Sequence, residues 1–143
     1  MDLLYIDDDL DDLEFFADAV KTIDPNCSCI LTTNGEEGLS MLATMKPDFI
    51  FLDMNMPRLD GRKILKAIRE NRLYDRIKVC IYSTSITSSE SEVYKKIGAN
   101  YCIKKPSSFE ELKRVLRKTF ELDEGSLTHT GGRQRVNNLR SSS

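Results

Sequence analysis

Acidic side chains crowd two places in this chain where an apolar run ends. Asp7 and Asp8 follow the run LLYI (3–6), and Asp53 closes the run DFIFLD (48–53). Three carboxylates brought together repel one another, and some are driven to protonate unless a cation offsets them. Oxygen donors with no cysteine or histidine nearby suit a hard divalent ion. Mg²⁺ fits this set, with Mn²⁺ as a substitute, because it takes few protein ligands and keeps waters that a phosphate can replace. Two further apolar runs end in complementary groups. Ser83 and Thr84 follow KVCIY (78–82), and Lys105 comes after NYCI (100–103), held extended by Pro106. Carboxylates, a metal, a hydroxyl and an ammonium in one crevice are the equipment for moving a phosphoryl group onto a carboxylate.

The neighbouring charges have simpler explanations. Asp9 stands before Leu10 with Asp12 three residues on, the pattern of a helix N-cap, and Asp11 and Asp12 favour the positive end of that helix's dipole. Lys104 and Lys105 fall on opposite faces of a regular strand, and the position before Pro106 selects Lys105 for the crevice.

These residues need elements to bring them together. The five apolar runs, with CSCIL (27–31) as the second, are short and rich in aromatic and β-branched residues, as strands buried on both faces are. Helix-period stretches lie between them. Leu13, Phe16, Ala17 and Val20 recur at one-turn spacing, as do Leu39, Leu42 and Ala43, then Ile64, Leu65 and Ile68, and finally Leu112, Val115, Leu116 and Phe120. Asn34 and Ser108 each precede a Glu by three residues, a helix start signal. The stretch 87–97 offers only Val93, Tyr94 and Ile97 and predicts a short, loosely held helix. Alternating strands and helices with right-handed crossovers predict an α/β fold, a flavodoxin-like (βα)5 doubly wound parallel sheet of strand order 2-1-3-4-5. Its crevice lies outside the carboxyl ends of strands 1 and 3, where Asp7, Asp8 and Asp53 stand.

Whole-chain features narrow the function. No apolar run reaches the ~20 residues of a membrane span, and no basic-then-apolar leader opens the chain. Cys27, Cys29, Cys80 and Cys102 form no C-x-x-C pair and read as buried free thiols in a reducing cytoplasm. The net charge is −2, and three arginines follow Glu124 with no acid among them, so the body is more acidic than the whole. An acidic body argues against nucleic acid as the main ligand.

The motifs together resemble the receiver domain of two-component response regulators, of the single-domain type found in chemotaxis. The resemblance rests on Asp7–Asp8, FIFLDMNMPRLDG (49–61), Ser83 in IYSTS and GANYCIKKP (98–106). It implies a receiver domain over 1–122; the stretch 123–143, poor in aliphatic residues and without periodicity, is expected to be a disordered polar tail. It implies Asp53 as phosphoacceptor, Asp8 as direct metal ligand with Asp7 assisting through water, and the Asn55 carbonyl as a further ligand. Ser83 and Lys105 hold phosphoryl oxygens, while Met56, Pro57 and Gly61 shape the loop after strand 3. The Lys105–Pro106 bond matches one that is cis in the family. Such a protein is no enzyme beyond its own phosphorylation and dephosphorylation. It takes its phosphoryl group from a sensor histidine kinase or a histidine phosphotransfer protein and signals to another protein through the helix 4–strand 5–helix 5 face. No output domain follows, which fits a self-contained receiver or one excised from a larger regulator. One position departs from the family: Cys102 stands where an aromatic switch residue is usual, and Tyr101 falls on the opposite face. Ser83, drawn inward by the phosphoryl group, is then the expected source of the signal.

Two rivals on related folds fail on residues. A flavodoxin needs hydroxyls and free N–H groups after strand 1 to cradle phosphate, where this chain has aspartates. An Asp-nucleophile phosphohydrolase normally carries a D-x-D pair after its first strand together with a cap domain, whereas this chain has LDMN (52–55) on its third strand and no room for a cap.

Overall fold

A computed structural model describes residues 1–57 and 60–129, with backbone alone for 124–129. Five parallel strands, β1 (Asp2–Ile6), β2 (Ser28–Thr32), β3 (Phe49–Leu52), β4 (Lys78–Ser83) and β5 (Tyr101–Lys104), lie in the order β2-β1-β3-β4-β5. The expected topology is therefore the one adopted. The central strands are the most apolar. All four residues of β3 are buried, as are Leu3 to Ile6 of β1, while the edge strand β2 exposes Ser28 and Ile30. Burial on both faces explains runs too continuous to alternate.

Helices cover both faces. α1 (Leu10–Ile23) and α5 (Phe109–His129) pack on one, where Tyr5, Phe16, Phe51, Tyr82, Leu112 and Leu116 form the core. α2 (Gly35–Met41), α3 (Gly61–Glu70) and α4 (Ser88–Ile97) pack on the other, over Ile6, Leu52, Ile64, Leu65, Ile81 and Tyr94. The caps read from sequence are present: Asp9 accepts from the Asp11 and Asp12 N–H groups, Asn34 from Glu36 and Glu37, and Ser108 from Glu111. α4 adds a capping box between Thr87 and Glu90. α2 is shorter than its apolar spacing predicts. Leu42 and Ala43 already bond back to Leu39 and Ser40, three residues away, a tightened turn that ends the helix.

The ladder continues one step past the strands. Asp7 N–H donates to Thr32 O at 3.1 Å, Asp53 N–H to Ile6 O at 3.1 Å and Lys105 N–H to Ser83 O at 2.8 Å. These bonds align the strand ends that carry the reactive groups.

Two expectations need revision. The Lys105–Pro106 bond is trans, as is every peptide bond among the described residues. Trans is favoured by about 0.5–1 kcal/mol before proline, and the Lys105 backbone bond to Ser83 already aims the side chain at the acids. α5 runs on to His129, into the stretch expected as a polar tail. Glu121 to Glu124 hold no proline or cap, and extending a formed helix costs little. Residues 130–143 of the expected tail lie outside the described residues. Of the four free thiols only Cys80 is fully buried; Cys27 and Cys29 lie on the edge strand or just before it, and Cys102 is half-covered.

Arg69 of α3 ties the lower edge. It donates to the carbonyls of Gly98 (2.8 Å), Tyr74 (3.0 Å) and Ile77 (2.7 Å) and to Asn100 Oδ1 (2.9 Å). Gly98, at φ +133°, ends α4 beneath it, and a Cβ there would stand 2.5 Å from Arg69 Cγ. Gly98→Ala therefore combines backbone strain with displacement of the guanidinium, and is expected to cost about 1–3 kcal/mol in urea unfolding. A wild-type midpoint would show that neither constraint is tight.

Candidate functional site

Four strand ends and the first turn of α1 converge on one acid cluster. Asp7, Asp8 and Asp53 each present a carboxylate oxygen within 4.8 Å of the others. Asp7 and Asp53 are buried, and Asp8 is exposed at the mouth. Lys105 reaches over from β5. Its Nζ lies 2.7 Å from Asp7 Oδ2, 2.8 Å from Asp12 Oδ2 and 3.3 Å from Asp53 Oδ2. The face of Tyr82 stands 5.7 Å from the same nitrogen. Lys104, by contrast, is exposed, as strand alternation requires.

The two oxygens of Asp53 differ. Oδ1 accepts from Asn55 N–H at 2.9 Å and from the Ser83 hydroxyl at 2.7 Å. Oδ2 takes the longer lysine contact. Ser83 is itself fully buried and accepts from Met54 N–H at 2.9 Å. Its hydroxyl is thus already inward, because an ionised carboxylate is a better acceptor than any neutral group nearby. A phosphoryl group on Asp53 would make it change partner, not travel in from outside. Behind the loop, Met56 is buried, Pro57 is exposed, and a Cβ at Gly61 would meet Asp53 O at 3.1 Å. Glycine lets α3 begin close to the end of β3.

Asp7 is held from all sides. Oδ1 accepts from Asp9 N–H at 3.0 Å, and Oδ2 takes both the Tyr5 hydroxyl and Lys105. Asp8 makes no hydrogen bond or ion pair with another described residue. This asymmetry fits Asp8 as a direct ligand and Asp7 as an assisting one, and the all-oxygen set fits a hard divalent ion.

Burial also sets the protonation preferences. It raises the Asp7 carboxyl above its ordinary value despite the opposing bonds from Lys105, Tyr5 and Asp9. Burial pushes Asp53 the same way, but the Asn55 N–H, the Ser83 hydroxyl and the Lys105 ammonium outweigh it and hold this carboxyl low. Burial lowers Lys105, and the bonds to Asp12 and Asp7 more than reverse it, so the ammonium is firmly charged.

Two participants escaped the sequence reading. Asp12 pairs with Lys105 as well as serving the helix dipole; its place one helical turn after Asp8 is the available signal. Tyr5 shares a strand face with Asp7, two residues away, and a buried phenol needs a partner. At the switch position, Cys102 packs among the residues beneath α4 while Tyr101 lies with the opposite core. The buried aromatic on the Cys102 side comes instead from α4, as Tyr94, with the Arg62 guanidinium 5.5 Å from its ring centre.

A model of the family described as "Response regulator receiver domain" matches residues 3–117. The chain is 31% identical over 116 residues to the probable C4-dicarboxylate response regulator DctR of Bacillus subtilis, covering 81% of this chain and 50% of that one. It spans half or less of the length of such curated relatives. Its fold matches the signal receiver domain of a DNA-binding response regulator from Colwellia psychrerythraea, with a TM-score of 0.75 at 24% identity, covering 85% and 98% of the two chains. It also matches the Mn²⁺-bound form of the response regulator Rcp1, with a TM-score of 0.71 at 22% identity, covering 80% and 90%.

Without divalent metal, the Asp53 carboxyl is expected to titrate below its ordinary value of 3.8, followed by carboxyl-carbon NMR. A folded value below the unfolded one means stability that is present above 3.8 and lost as pH falls through the folded midpoint. Ser83→Ala removes one donor to the charged form and should raise that midpoint. An unmoved midpoint would contradict the Ser83 bond.

Proposed function

The chain belongs to the response regulator receiver domain family, and from that membership we propose that Asp53 accepts a phosphoryl group from a sensor histidine kinase or a histidine phosphotransfer protein. The carrying observation is the division of labour at its carboxylate. Oδ1 is engaged by Asn55 N–H and Ser83, which leaves Oδ2 as the attacking oxygen beside Lys105. A new Oδ2–P bond forms as the donor's P–N bond breaks, and the electron pair leaves on the imidazole nitrogen. Its low carboxyl value keeps Asp53 ionised and ready to attack. Lys105 balances charge on the incoming oxygens, and Ser83 can turn its hydroxyl from Oδ1 to one of them.

Asp8, Asp7, Asp53 and the backbone carbonyl of Asn55 would hold Mg²⁺, or Mn²⁺ as in the relative's structure. Bound there, the ion would offset the charge that a phosphoryl group adds to the acid cluster. The chain turns over no other substrate in this reading. It signals by altered protein binding at the α4–β5–α5 face, with the loop 84–88 carrying the change from Ser83 and no nucleic acid or membrane as target. α4 suits a moving element because, among its described residues, only Tyr94 is fully buried. No helix among the described residues is long and apolar enough to cross a membrane. Four free thiols favour a reducing, cytoplasmic setting.

Acetyl phosphate with Mg²⁺ should add one phosphoryl group to the wild-type chain, read by intact mass. Asp53→Asn should add none, and EDTA should abolish the labelling of the wild type. Full labelling of Asp53→Asn, or labelling undiminished by EDTA, would reject the assignment.

A further inference from the structure

An ammonium has three N–H donors, and those of Lys105 are shared among Asp7, Asp12 and Asp53. The two short contacts, 2.7 and 2.8 Å, go to Asp7 and Asp12, and the 3.3 Å contact goes to the acceptor Asp53. Before transfer, the lysine is therefore held more closely by its other partners than by the residue it must serve.

Those partners are not equivalent. Asp7 is buried and fixed by Tyr5 and Asp9, and it belongs to the acid cluster. Asp12 lies outside that cluster, on the first turn of α1, with its side chain 35% exposed. Its own backbone N–H is held by the Asp9 cap, so the carboxylate is carried on a rigid helix end. It is the partner that solvent can replace and the one with no other task in the crevice.

We propose that Asp12 is a positioning residue that competes with the phosphoryl group for Lys105 and so weakens retention of that group on Asp53. The inference rests on Asp53 being the phosphoacceptor. When a phosphoryl group arrives, Lys105 has to turn toward new oxygens, and the Asp12 carboxylate opposes this twice. It holds the ammonium back, and it adds a negative charge near a dianion. Both effects end when the carboxylate is removed.

Beryllofluoride with Mg²⁺, a stable stand-in for the phosphoryl group, gives the test by titration of backbone amide shifts. Asp12→Asn should bind it about threefold more tightly, the scale of a partly exposed ion pair. Asp11→Asn, which removes a neighbouring first-turn charge with no contact to Lys105, should match the wild type. Asp12→Glu should restore weak binding, and the advantage of Asp12→Asn should shrink as KCl is raised. A role confined to helix stability would move Asp11→Asn and Asp12→Asn alike, and would overturn the proposal. Equal or weaker binding by Asp12→Asn would overturn it too, while leaving Asp53 in place if the wild type binds and Asp53→Asn does not. If the wild type fails to bind at Asp53, both readings fall together.

Discussion

The Lys105 ammonium lies within 3.3 Å of three carboxylates, those of Asp7, Asp12 and Asp53. Two of these acids are buried, and burying a carboxylate without a partner costs several kcal/mol. One cation serves the two buried acids and Asp12 beside them. That requirement fixes the arrangement of the upper edge. β5 must end beside β4, α1 must begin beside β1, and the Lys105 backbone must bond to Ser83 so that the side chain crosses the edge. The neutral donors share the load: Tyr5 and Asp9 serve Asp7, while Asn55 and Ser83 serve Asp53.

The two faces of the sheet support this centre differently. Beneath α1 and α5, the rings of Tyr5, Phe16, Phe51 and Tyr82 pack against one another, with Tyr5 and Phe16 centred 4.4 Å apart. The Tyr5 hydroxyl carries that rigidity straight to Asp7. Beneath α4 the packing is thinner, and the helix depends on its capping box, Tyr94 and the Arg69 tie at Gly98. The face beneath α1 and α5 is the more tightly packed, and the face beneath α4 the more lightly held. The half-covered Cys102 lies on the α4 side, next to a core whose aromatic group comes from α4.

Much of this was legible in the residues because strand ends and caps are local. LLYI followed by Asp7 and FIFLD ending at Asp53 say where two strands stop, and the fold's switch point brings them together. Asn34, Asp9 and Ser108 declare their helices within three residues. What escaped was decided by tertiary partners. Asp12 had a sufficient local explanation in the helix dipole, which hid its bond to Lys105. Ser83 was expected to move inward, yet the charged Asp53 holds it there already. α5 runs past Phe120 because the chain to Glu124 keeps its helix propensity after its apolar spacing ends. Half-covered thiols on β2 follow from its position at the edge, which an apolar run alone does not reveal.

The most direct test of the central claim is the stability of Lys105→Met across pH, by urea unfolding with and without Mg²⁺. Without the ammonium the clustered carboxyls should bind protons more tightly when folded than when unfolded. The variant should therefore lose about 3–5 kcal/mol at neutral pH, with the deficit growing as pH rises through the raised folded values and shrinking in acid. Mg²⁺ should recover part of it by replacing the missing charge. A variant as stable as the wild type at neutral pH, or a deficit indifferent to both acid and Mg²⁺, would show that Lys105 does not hold this site together.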